Sequence, residues 1–183
     1  KRSLNLILKE LERIGERLEE FLSFAGKKAN KKEKVDLRQI VSESTTLFRA
    51  DAAALNIKIY ESVPTVPIVI DGDASSLKEL ITNLILNALQ ACTGGEYIKV
   101  SLASNNEGIY LRVEDNGVGI KNEDLPRLFE PYFTTKPKGT GLGLAISRRI
   151  AEDHGAVLSL KPAEDKGTVA ELVFHTGPAH RAG

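Results

Sequence analysis

Residues 77–89 read LKELITNLILNAL, the most regular amphipathic stretch of the chain. Leu77, Leu80, Ile81, Leu84, Ile85, Ala88 and Leu89 recur at helical spacing and share one side. An apolar stripe that wide belongs in a core, so the stretch predicts a central helix on which the rest of a domain packs. Its other side carries Glu79, Asn83 and Asn87. Four-residue spacing lines these three along one face, with a rise of about 6 Å per step.

Working outward, Asp71-Gly72-Asp73 turns the chain into this helix, and a short strand is expected around Ile68 to Ile70. Further upstream, Asp36 is a natural N-cap for a helix over Leu37 to Leu55, and Asn56 opens a strand through Ile57 and Ile59 toward Glu61. Downstream, Tyr97 to Ala103 and Ile109 to Glu114 read as two strands joined by the turn Asn105-Asn106-Glu107-Gly108. Residues 115–140 are rich in Gly, Pro, Lys and Thr, with a short helical stretch near Leu125 to Phe129. A loop of that length inside a compact domain is usually functional. Leu142 to His154 then form a helix ended by Gly155, and Val157 to Leu160 and Thr168 to Phe174 close the domain as strands. The expected fold is α/β, a two-layer α/β sandwich with a mixed, mostly antiparallel sheet.

The first 25 residues follow a heptad pattern, with Leu4, Leu11, Leu18 and Ala25 in one column and Ile7, Ile14 and Phe21 in the other. Leu8 and Leu22 widen the stripe toward a four-helix bundle; an amphipathic helix folded back on its own domain is the alternative. The charge-dense run KKANKKEK at 27–34 reads as a solvated helix end or linker. We therefore expect one long bundle helix over residues 1–30, one domain over 31–177 and a disordered tail over 178–183.

With 25 basic and 25 acidic residues the chain has no net field to gather nucleic acid or anionic lipid, so neither is expected as a partner. The single cysteine, Cys92, excludes an internal disulfide framework and fits a reducing, cytoplasmic setting. No run approaches the roughly 20 apolar residues that span a bilayer. The start at Lys1 and the absence of methionine suggest a piece of a longer protein, whose membrane anchor, if it has one, lies elsewhere.

Three clusters carry chemistry. On the central helix, a merely solvated face has no reason to prefer asparagine over better helix formers, and neutral oxygens at this spacing suit a Mg2+ ion that leans on substrate phosphates. A solvent-facing stripe is the plain alternative. The second cluster, Asp115-Asn116-Gly117-Val118-Gly119-Ile120, follows a strand directly. Its glycines allow close approach, and Asp115 can accept a hydrogen bond from an exocyclic amine, so it reads as a nucleobase site or as a ligand-free turn. The third, Gly139-Thr140-Gly141-Leu142-Gly143-Leu144, opens the last helix and offers N–H groups to a phosphate. It lacks the Gly-Lys-Ser/Thr of a P-loop and the preceding strand of a dinucleotide fingerprint. Lys136 and Lys138 stand just upstream, within reach of phosphate oxygens, although Lys138 reads equally as a solvated lysine.

In order along the chain, ELITNLILNALQA resembles the N box, DNGVGI the first glycine box, FEPYFTTK the F box and GTGLGL the second glycine box of two-component sensor histidine kinases. The resemblance covers roughly residues 33 to 175, and the wording EPYFTTK is similar to the nitrogen-regulatory branch. It implies the Bergerat ATP-binding fold of the gyrase, chaperone, histidine kinase and MutL superfamily, with ATP and Mg2+ as cofactors. Asp115 would meet the adenine amino group, Asn87 the Mg2+ and Asn83 the phosphates. Gly117, Gly119, Ile120, Phe133, Thr134, Lys136 and the residues of the 139–144 box would line the site. Phe129 and Phe133 would anchor a lid between Gly119 and Gly139. The leading helix resembles the second helix of the dimerisation bundle, which implies a homodimer, and the family passes its phosphoryl group to a response regulator receiver domain.

The superfamily's hydrolases carry a glutamate one turn before the Mg2+ asparagine, and here that position is Asn83. An amide is no general base, which favours transfer to a positioned acceptor over hydrolysis, with Asn83, Lys136 and, more remotely, Glu79 as the catalytic candidates. The family's acceptor histidine has no match: His154 stands at a helix end, His175 at a strand end and His180 in the tail. The expectation is a protein-histidine kinase domain that binds ATP but does not phosphorylate itself. A nucleotide-gated dimerisation module is the non-enzymatic alternative.

Overall fold

The computed structural model describes Gly15, residues 32–136 and residues 139–175. The bundle helix expected over 1–30, apart from Gly15, and the tail over 178–183 lie outside the described residues, as do Pro137 and Lys138. The elements run β1 (Glu33–Asp36), α1 (Leu37–Ala54), β2 (Lys58–Ser62), β3 (Val69–Gly72), α2 (Ala74–Ala91), β4 (Tyr97–Ser104) and β5 (Gly108–Asp115). A single 3-10 turn at Leu125–Arg127 follows, then α3 (Gly143–Asp153), β6 (Ala156–Pro162) and β7 (Thr168–His175).

Two of the helices begin on aspartate. Asp36 accepts from the Arg38 N–H at 3.1 Å and starts α1. Asp73 starts α2 by accepting from the Ser75 N–H at 3.0 Å and the Ser76 hydroxyl at 2.7 Å. Each carboxylate satisfies amides that the helix itself leaves without partners. Gly155, with φ +68°, follows the last turn of α3.

The main sheet has the order β2-β4-β5-β7-β6, with β2 parallel to β4 and the remaining pairs antiparallel. This is the mixed, mostly antiparallel sheet that the patterning predicts. Helix α1 packs on β2 and β4, α2 on β4 and β5, and α3 on β6, while α2 also touches both other helices. The core lies between the layers, where Leu77, Leu80, Ile81 and Ile85 of α2 meet Ile98, Val100, Leu111 and Leu172 of the sheet, all fully buried. Among the described residues no helix is long and apolar enough to cross a membrane.

One stretch departs from the sequence reading. Glu33–Asp36, at the end of the charge-dense run, is a strand, paired antiparallel with β3 from Glu33 opposite Gly72 to Asp36 opposite Val69. The pair forms its own two-stranded sheet, apart from the five. Only Val35 of the strand is buried, so no apolar alternation announced it, and its partner lies more than thirty residues away.

His154 ties the end of α3 to the start of α2. Its Nε2 accepts from the Asp73 N–H at 2.9 Å, and its Nδ1 lies 2.7 Å from the Ile150 carbonyl, which fixes the tautomer with the proton on Nδ1. Both ring nitrogens are therefore engaged, as the helix-end reading of this histidine implies.

Burial works to raise the Asp73 pKa, but the hydrogen bonds from Ser76 and Ser75 outweigh it and hold the carboxyl below its ordinary value of 3.8. A carboxyl lowered by folding stabilises the native state above its unfolded pKa, and the contribution is lost as pH falls through the folded value. Asp73→Ala is expected to cost about 1 kcal/mol in urea denaturation at pH 7. The gap to wild type should close as the pH is taken below 3.8.

Candidate nucleotide site

On β5, Ile109, Leu111, Val113 and Asp115 all face the helical layer, and the first three are core residues. The same alternation that buries them carries the Asp115 carboxylate inward, where it is only 4% exposed. Its Oδ1 accepts from the Gly117 N–H at 2.9 Å. Desolvation pushes the Asp115 pKa up, against the opposing pull of the Gly117 and Thr168 main-chain N–H groups and of the Lys136 charge.

The carboxylate borders a cavity of about 550 Å³ between α2, the sheet and the loop that leads to α3. Asn83 and Asn87 of α2 line it, with Asp115 at the end of β5 and Gly119 and Ile120 from the loop that follows. Phe133, Thr134 and Lys136 line it from the next part of the loop, and Gly139, Thr140, Gly141, Gly143 and Leu144 from the start of α3. The three clusters that stand far apart in sequence thus share one cavity.

Three of the sequence candidates are not part of its wall. Glu79 is eight residues before Asn87, about 12 Å back along the helix axis. Gly117 lies beneath the wall, where a Cβ would come 2.4 Å from the Ala91 carbonyl oxygen. Leu142 is buried in the core at 4% exposure and serves as the N-cap position of α3. It makes no side-chain cap, unlike the two aspartates that start α1 and α2, so the first turn of α3, whose Gly143 and Leu144 line the cavity, has no capping side chain.

Backbone geometry sets the approach of the loops. Gly141, at φ +72°, lets the glycine-rich turn lie against the Tyr132 backbone, where a Cβ would sit 2.4 Å from the Tyr132 carbonyl carbon. The two loops are joined there by the Tyr132 N–H donating to the Gly141 carbonyl at 3.0 Å. Gly167, at φ +100°, touches the other end of the site, where a Cβ would lie 1.9 Å from the Asp115 carbonyl oxygen. Phe129 is partly buried on the core with the Arg148 guanidinium 5.3 Å from its ring, and Arg127 stands 4.4 Å from the Phe133 ring.

Lys136 reaches back across the cavity. Its Nζ donates to Asn87 Oδ1 and to Gln90 Oε1, each at 2.8 Å. Desolvation lowers the Lys136 pKa, and the charge of Asp115 works against that. Gln90 was not among the sequence candidates, although its place three residues after Asn87 on the polar face was the available signal. Leu160, Thr168 and Ala170 also line the cavity. They come from β6 and β7, and no local motif marks them.

The donor set fits a hard cation carried by a nucleotide. Among the described residues no group of three or more His, Cys, Asp or Glu is placed to hold a metal ion. What the cavity presents is neutral amide oxygen already turned toward a positive charge, a donor type that suits a hard cation.

The family model described as histidine kinase-, DNA gyrase B-, and HSP90-like ATPase matches residues 72–178. The chain belongs to this family. Within it, the chain is similar to sporulation kinase A of Bacillus subtilis, 33% identical over 171 residues, which is 93% of this chain and 28% of that protein. Sensor histidine kinase ZraS of Escherichia coli is 33% identical over 168 residues, 91% of this chain and 36% of ZraS. A structure of the histidine kinase ThkA in complex with the response regulator protein TrrA superposes with a TM-score of 0.80 at 25% identity, covering 99% of this chain and 52% of that one. The chain thus spans about a third of the length of the curated relatives it matches. It carries the ATP-binding catalytic domain of a sensor histidine kinase, and the cavity lies within the part that the family model matches.

In the kinase domain, a carboxyl whose pKa folding raises weakens the native state above that pKa, and the penalty vanishes below the ordinary value of 3.8. Asp115→Asn keeps an oxygen for the Gly117 N–H and removes the buried charge. At pH 7 the variant is expected to be at least as stable as wild type in urea denaturation, with any advantage shrinking as the pH falls toward 3.8.

Proposed function

We propose that this domain binds ATP together with Mg2+ and transfers the γ-phosphoryl group to a histidine on a bundle helix outside these residues. The observation that carries the reading is the convergence on one cavity of a buried, inward-facing carboxylate, a face of amide oxygens and an uncapped helix start. Asp115 would accept a hydrogen bond from the adenine amino group, and Gly119, Ile120 and Phe133 would flank the base. The first-turn amides at Gly143 and Leu144, with Thr140 and Gly141 of the preceding turn, would receive phosphate oxygens. Asn87 would hold Mg2+ and Asn83 would face the phosphates. The metal would supply charge neutralisation across the phosphates when bound.

In the transfer, the bond between the γ-phosphorus and the β,γ-bridging oxygen breaks, a phosphorus–nitrogen bond to the acceptor imidazole forms, ADP leaves and the imidazole gives up a proton. The chain's own part is positioning and electrostatics. Lys136, already inside the cavity, would move from α2 to the phosphate oxygens. Asn83, where a water-activating carboxylate would stand in a hydrolase, supports transfer rather than hydrolysis. Glu79, two turns away from Asn87, contributes nothing direct to this scheme.

We further take residues 1–30 as the second helix of the dimerisation bundle, on the strength of their heptads, which would make the intact protein a homodimer. A receiver-domain aspartate of a response regulator is the proposed next acceptor, supported by the complex in which ThkA was solved. ATP dependence and the single thiol support a cytoplasmic location.

Isothermal titration with Mg2+-ATP and Mg2+-ADP tests the first step. Wild type is expected to bind both, and Asp115→Asn to bind at least about tenfold more weakly, the loss of a hydrogen bond to a charged group. With Mg2+-ATP and a separately supplied acceptor helix, the wild-type chain should produce acid-labile phosphohistidine on that helix and none on itself. A folded wild-type chain that binds no nucleotide would sink this reading.

A further inference from the structure

Lys136 is held inside the cavity by two neutral oxygens. Asn87 Oδ1 and Gln90 Oε1 each lie 2.8 Å from its Nζ, and their three-residue spacing puts both on one face of α2. Asp115 bears on Lys136 through its charge, while the hydrogen bonds go to amides. Amide oxygens that converge on an ammonium offer what any hard cation needs. Gln90 has no other role in the binding scheme, yet its side chain is turned to this one point.

We propose that Asn87 Oδ1 is a single cation seat, which the Lys136 ammonium, held there by Gln90 Oε1, fills in the nucleotide-free protein and yields to the divalent cation that enters with ATP. This rests on the ATP and Mg2+ reading above and assigns a role to Gln90 as the positioning residue that parks Lys136. The ammonium and a divalent ion cannot share the Asn87 oxygen, because like charges at contact distance repel strongly in a site of low effective dielectric. Once displaced, Lys136 has three donors and no acceptor, and incoming phosphate oxygens are the partners it needs. The exchange thus delivers the lysine to the phosphates in the same step that seats the metal.

A seat that is usually filled lowers the apparent affinity for Mg2+-nucleotide by the fraction of protein in which it is open. Weakening the parked state should therefore tighten binding. Gln90 is exposed on the helix, and Gln90→Leu removes one acceptor and leaves an apolar side chain one atom shorter. Measured with a fluorescent ribose-labelled ADP, Mg2+-dependent affinity is expected to rise about three- to tenfold in Gln90→Leu, mostly through faster association. Affinity in the presence of a metal chelator should change by less than about twofold, since the seat then need not open.

The second readout is the lysine side-chain ammonium spectrum, with the Lys136 signal assigned by its loss in Lys136→Arg. In the free wild-type chain this signal should be that of a hydrogen-bonded ammonium, weakened in Gln90→Leu and shifted when Mg2+-ADP is added. Mg2+-ADP binding that leaves the Lys136 signal in place, or a Gln90→Leu variant that binds no more tightly than wild type, overturns the exchange and leaves the nucleotide reading intact. Absence of nucleotide binding in both wild type and variant overturns the nucleotide reading and the exchange with it.

Discussion

A carboxylate placed at an inward position of a central strand is the constraint on which the rest of this site depends. Asp115 sits where Ile109, Leu111 and Val113 of the same strand supply core, so the fold must satisfy a charge in a place meant for hydrocarbon. It does so only in part. The turn after β5 returns the Gly117 N–H to the carboxylate, and the pKa remains raised. A group that is costly to bury and incompletely satisfied by its own protein is poised for a ligand that completes its hydrogen bonding. The adjoining backbone follows from the same constraint: Gly167 is at contact with the Asp115 carbonyl and could carry no side chain without displacing it.

The second requirement is a rigid platform, and α2 provides it by having two faces. One face holds much of the core, and the other holds Asn83, Asn87 and Gln90 along the cavity. Any rotation of the helix that moved the asparagines would also pull Leu80, Ile81, Leu84 and Ile85 out of close packing, which fixes the face that carries them. Its N-terminus is tied to the end of α3 through His154, so the helix that carries the amide oxygens and the helix that offers amide N–H groups are held at one spacing.

The capping pattern sets the start of α3 apart from those of the other two helices. Asp36 and Asp73 close the starts of α1 and α2, whereas α3 begins at Leu142 with no side-chain cap. A carboxylate cap there would compete for the same amides and add negative charge where the proposed function has phosphate bind. The absence of a cap is therefore consistent with the anion-binding role proposed for that turn, and Lys136 brings the complementary charge from the loop that precedes it.

Much of this was legible in the chain alone. The helical period of residues 77–89, the aspartate caps and the turn residues follow from local physics, because each depends on neighbours a few positions away. So was much of the cavity wall, since the glycine-rich turns and the asparagine stripe, ambiguous one by one, become specific through their order and spacing along the chain. Tertiary structure alone decided the rest. The strand at Glu33–Asp36 exists because β3 lies beside it, not because of its own composition. Thr168, Ala170 and Leu160 enter the wall through pairing between strands far apart in sequence, and Asn87 and Gln90 are brought together by a lysine 49 and 46 residues away. Periodicity shows which side of an element is buried. Only the closing of the chain upon itself determines which distant side chain meets it.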